Sequence, residues 1–140
     1  MLFRSLYRRV DLEDVVSAHL LAAERAATLG FRKYIISATT PFLPKDLAGL
    51  RVNARDVLRL RVPEYEAEYE RRQWKAFPSI DRVYVNERAR NELGWQPQYD
   101  FHSVLKRLQA GDDVRSALAR LVGSKGYHAQ VFSEGPYPVE

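Results

Sequence analysis

The strand–helix–strand order at the start of the chain limits its possible folds more than any other sequence feature. Leu6 to Val10 reads as a strand. Asp11 follows as a helix N-cap, with Glu13 and Asp14 placing negative charge in the first turn, where backbone N–H groups are free. Val15, Ala18, Leu21 (or Ala22) and Ala26 then recur at helical spacing. Gly30 stands where a left-handed C-cap is favoured, and Tyr34-Ile35-Ile36 reads as a short buried strand directly after it. Short strands alternating with helices predict an α/β unit, a small mixed lobe.

The rest of the chain continues in short pieces. Ser37 to Pro44 is a loop, with prolines and a small-polar run. Asp46 to Leu50 and Ala54 to Leu60 each suit a turn or two of helix. Pro63 fits the start of a charged helix from Glu64 to Trp74, around a Tyr65/Tyr69 stripe. Arg82 to Val85 alternates like a strand, and Asn86 offers a cap to a helix from Glu87 to Leu93 that Gly94 closes. Asp100 caps Phe101 to Leu108, and Val114 to Val122 forms the last helix. The tail 123–140 is irregular. No break in composition divides residues 1–140, so a single lobe is expected.

Several chemistries are excluded. The 140 residues contain no cysteine, which removes disulfides, thiol nucleophiles and cysteine-bound metals. His19, His102 and His128 stand in no metal-ligand spacing, and no Ser lies in a GxSxG elbow. The seven glycines form neither GxGxxG nor GxxxxGK, so no phosphate-cradling loop is present. No Tyr has Lys four residues on; Tyr84 has Arg88 instead. No catalytic residue and no metal site are therefore assigned. The longest mostly apolar stretch, Val15 to Ala27, carries Ser17, His19, Glu24 and Arg25, and falls short of the ~20 residues of a membrane span. A cytoplasmic setting without membrane attachment is expected.

Two stretches resemble a known family. Tyr7-Arg-Arg-Val-Asp-Leu-Glu-Asp-Val-Val-Ser-Ala-His19 is similar to the segment that opens the second half of extended short-chain dehydrogenases, the NAD(P)-dependent epimerase/dehydratase group. Tyr84-Val-Asn-Glu-Arg-Ala-Arg-Asn-Glu-Leu-Gly-Trp-Gln-Pro97 resembles that group's Glu-Leu-Gly-Trp-x-Pro signature, and Asp100 to Leu105 resembles its closing helix. Between them a Gly turn, a strand and a Thr/Pro loop leading to Asp46-Leu47 stand in the family's order. The chain departs from the pattern at Tyr7, where an arginine is usual, and at Val85, where an aspartate is usual.

The resemblance implies a C-terminal substrate-binding lobe with the Rossmann domain absent, not catalytic as an isolated chain. It implies a sugar or nucleotide-sugar substrate, with substrate contacts at Tyr7, Arg9, Thr39, Thr40 and Arg82. No cofactor is expected on this chain; NAD(P) belongs to a full-length relative. A homo-oligomer or a separate Rossmann domain is the implied partner. Two other classes compete with this reading. Gly123-Ser-Lys-Gly126 echoes the GXXG clamp of KH domains, which would make the chain a small basic nucleic-acid-binding module. The net charge of +4 arises from 22 basic and 18 acidic residues that are interleaved, which argues against nucleic acid. The other is a non-catalytic oligomerisation unit derived from the same lobe.

Overall fold

The computed structural model describes residues 9–123. Among them run six α-helices: α1 (Leu12–Leu29), α2 (Leu47–Arg61), α3 (Tyr65–Arg71), α4 (Glu87–Leu93), α5 (Phe101–Ala110) and α6 (Ala117–Val122), with a 3-10 turn at Pro44–Asp46. The described residues contain no strand, so the expected α/β lobe is overturned: the fold is helical. Tyr34–Ile36 and Arg82–Val85 are non-helical, as their patterns require, but neither lies in a ladder. A strand is made by its neighbour, and alternation only marks a segment that suits a half-buried surface. Here Tyr34 and Ile36 pack on helices while Ile35 stays exposed, so the alternation is satisfied without a sheet. The backbone bond from Ala38 N–H to Arg9 O, 2.6 Å, is all that links the residue 9–10 segment to residues 34–38 in this way. Of the strand expected at Leu6–Val10, only Arg9 and Val10 are among the described residues.

Two apolar cores hold the helices. The larger gathers Leu50, Leu58 and Val62 of α2 and its C-terminal end, Tyr65 and Tyr69 of α3, and Phe101, Leu105 and Leu108 of α5. The smaller centres on Ala18 of α1, Ala89 and Leu93 of α4, and Trp95. Small residues at Ala18 and Ala89 let α1 and α4 approach closely around the indole.

Four caps are where the residues predicted them, at Asp11, Asp100, Gly94 and Gly111. The Asp11 and Asp100 carboxylates accept from Glu13 N–H and Ser103 N–H, both at 2.9 Å. Asp11 also accepts from Ser116 N–H at 3.1 Å, tying the start of α6 to the start of α1. Gly94 and Gly111 take left-handed conformations after α4 and α5. Gly30 has a positive φ of 61° but an extended ψ of −150°, so it ends α1 without being a left-handed cap. Asn86 precedes α4 without capping it through its side chain. The charged helix after Pro63 is also shorter than its composition suggests, stopping at Arg71 before Gln73, whose φ is 54°.

The division between Asp46–Leu50 and Ala54–Leu60 has a specific cause. Asn53 breaks α2 with φ −149° and ψ 87°. Leu50 C=O and Ala54 N–H, which would bond each other in an unbroken helix, instead accept from Ile80 N–H (2.8 Å) and donate to Pro78 O (3.0 Å). The segment through Pro78–Ile80 is thereby stitched into the kink. That stitch sets the course of the chain into residues 83–86, which form one wall of the site below.

Candidate functional site

The loop after Ser37 and the chain entering α4 face each other across a cleft of about 310 Å³. Thr39, Thr40, Phe42, Leu43, Pro44 and Leu47 line one side; Val83, Val85, Asn86, Glu87 and Arg90 line the other. The volume lies at the small end of the range for ligand pockets.

Asn86 organises the polar part. It is buried, and its Nδ2 donates to Ser37 O at 2.8 Å and to Thr39 Oγ1 at 3.1 Å. Its Oδ1 accepts from Arg90 Nε at 3.0 Å, one helical turn on. Both ends of one amide are thus used to join the loop to α4 and to orient a guanidinium. Thr40 Oγ1 accepts from Phe42 N–H at 3.3 Å, closing a side-chain turn before Pro41 carries the chain onward.

The apolar wall is held by a separate ion pair. Pro44 starts the 3-10 turn, its missing N–H costing nothing at that position. Asp46 accepts from Leu43 N–H at 2.8 Å and from Arg61 Nε and Nη2, each at 2.7 Å. The Arg61 guanidinium holds this carboxyl below the usual carboxylate range, overcoming the opposing effect of burial. Residues 43–47 are therefore anchored to the end of α2, and Leu43 and Leu47 remain about half exposed beside the cleft.

The structure brings together only part of the predicted contact set. Thr39 and Thr40 line the cleft side by side. Arg82 does not: it points to solvent beside Asp81, 3.3 Å away. Arg9 contributes its carbonyl to Ala38 N–H and does not line the cleft. Tyr7 lies outside the described residues, as do positions 124–126 of the glycine pair at 123 and 126. Asn86 and Arg90 were missed as site residues, because an Asn before a helix is read first as a cap. Their i, i+4 spacing was the available signal, since it places both on one helix face.

Of the five described glycines, Gly30, Gly94, Gly111 and Gly123 follow helix C-termini and Gly49 lies within α2. A pyrophosphate cradle needs them before a helix N-terminus. Among the described residues no group of three His, Asp or Glu side chains could hold a metal ion, and no helix is long and apolar enough to cross a membrane. His19 bonds Val15 O at 2.8 Å and His102 faces Glu64 at 3.2 Å, both away from the cleft.

Comparison of the chain with protein-family models, curated proteins and solved structures returns no match.

Proposed function

We propose that the chain is the substrate-binding portion of an NAD(P)-dependent epimerase/dehydratase-like protein, and that the cleft holds its sugar-type substrate. The observation that carries this reading is the joining of the two stretches that resemble the family. Trp95 of the second stretch donates its indole N–H to Asp14 O of the first at 3.1 Å, across 81 residues of sequence. The Asp14 carboxylate in turn accepts from Gln98 and Tyr99 N–H at 2.8 and 3.0 Å. The two stretches that resemble the family thus serve one packed unit, and the Thr/Pro loop between them supplies one wall of the cleft. The cleft's hydroxyls already accept, Thr39 Oγ1 from Asn86 Nδ2 and Thr40 Oγ1 from Phe42 N–H, an arrangement that supports a binding role. Val16 and Leu20, one turn apart on α1, and Phe31 turn apolar side chains outward. Such surface supports docking to a Rossmann-type domain that carries the cofactor.

Amide chemical shifts of the full chain test the reading. At least one of glucose, glucuronate and UDP-glucose should perturb Thr39, Thr40 and Asn86 in a saturable manner on titration. Micromolar binding of NAD⁺ or NADPH to the chain by calorimetry would sink the assignment of the cofactor to another domain.

A further inference from the structure

Resting on the reading of the cleft as a substrate site, we infer that its ligand is a molecule of monosaccharide size carrying a single anionic group, a carboxylate or a phosphate monoester. The inference comes from which hydrogen-bonding capacity the cleft has already used. Thr39 Oγ1 accepts from Asn86 Nδ2, so its own hydrogen is directed elsewhere. Thr40 Oγ1 accepts from Phe42 N–H, with the same consequence. Arg90 is a donor only, and Asn86 Oδ1 engages its Nε, leaving the terminal nitrogens to present a fixed edge. Asn86 has committed both ends of its amide. The polar lining is therefore donor-rich and calls for an acceptor-rich group, which an oxyanion supplies best.

The charge count of the described lining residues limits that group to one. Among the described residues, Arg90 is the one cation lining the cleft and Glu87 the one carboxylate. A single oxyanion at Arg90 is matched; a diphosphate would bring further charge toward Glu87 without a cation to meet it. Glu87 is suited instead to accept from a ligand hydroxyl. The remaining lining, including Leu43, Leu47, Val83 and Val85, is apolar and meets the C–H face of a ring. A nucleotide-diphosphate sugar therefore fails on charge.

The test uses the full chain, titrated with glucuronate, glucose 6-phosphate, glucose, inorganic phosphate and UDP-glucose while the Thr39, Thr40 and Asn86 amides are followed. One of the two sugar anions is expected to bind at least about tenfold tighter than glucose. Which of the two wins separates a carboxylate from a phosphate ester. Arg90→Gln should remove that tenfold advantage over glucose, and Thr39→Val should weaken the anion. Glucose binding as tightly as the anions, or an unaltered anion affinity in Arg90→Gln, overturns the anionic class and leaves the cleft as a sugar site. UDP-glucose binding tightest overturns the limit to one anion, and inorganic phosphate matching glucose 6-phosphate overturns the ring. No shift with any probe overturns both this inference and the substrate-site reading.

Discussion

Trp95 is bonded to the first helix through Asp14: its indole N–H lies 3.1 Å from the Asp14 carbonyl and 3.0 Å from Ser17 Oγ. The same Asp14 uses its carboxylate on the two backbone N–H groups just beyond Pro97. One residue of α1 thus holds both the end of α4 and the chain that leaves it. α4 thus runs from the cleft, at Asn86, to this anchor and links the site to the smaller core.

Asp14→Ala should accordingly destabilise the fold by about 2 to 3 kcal/mol, since it strands the Gln98 and Tyr99 donors in a part-buried place. Urea denaturation measures the loss, and hydrogen exchange should show those two amides opening first. Unchanged exchange at Gln98 and Tyr99 would contradict the anchor.

Asp46 makes stability depend on acid in a defined direction. Its folded-state pKa is depressed by Arg61, so its contribution is fully present above its ordinary value near 3.8 and is lost as pH falls through the folded value. Urea midpoints between about pH 6 and pH 3 should decline less steeply in Asp46→Asn than in the wild type. Equal slopes would show that the pair does not couple to folding.

Gly94 carries φ 64° and ψ 19°, and a Cβ there would lie 3.3 Å from Arg25 Nη2. Gly94→Ala is expected to cost about 1 kcal/mol from the left-handed backbone, with a small addition from displacing Arg25. Gly111→Ala, at φ 79° with open space around its Cβ, should cost the backbone part alone. The two midpoints measured side by side separate strain from crowding.

The two faces of α1 should respond oppositely to substitution. Ala18 is 2 % exposed against Trp95 and Ala89, so Ala18→Leu overpacks the smaller core and should cost about 1 to 3 kcal/mol. Leu20 is 60 % exposed, and Leu20→Glu should leave stability within about 0.5 kcal/mol. A large loss in Leu20→Glu, read by thermal unfolding at low protein concentration, would place α1 in the wrong orientation.

Much of the helical framework was legible because its signals are local. Asp11, Asp100, Gly94 and Gly111 act within one turn of chain, and the break between Leu50 and Ala54 is visible as two separate short helical pieces. The strands were misread because alternation at Tyr34–Ile36 reports burial on one side and carries no information about a neighbouring strand. Half of the site was equally hidden. Thr39 and Thr40 stand out on a Thr/Pro loop, whereas Asn86 looks like an ordinary cap until its amide is seen reaching Ser37, 49 residues earlier.

The sequence by itself determined the caps at Asp11, Gly94, Asp100 and Gly111, the lack of cysteine, and which loop offers hydroxyls. The tertiary structure alone decided that the extended segments pack on helices rather than on each other. It also decided that Asn86 spends its hydrogen bonds on a loop from another part of the chain. The reason is physical: caps and turns are settled by backbone groups a few residues apart, while a cleft depends on side chains that only packing brings within hydrogen-bonding distance.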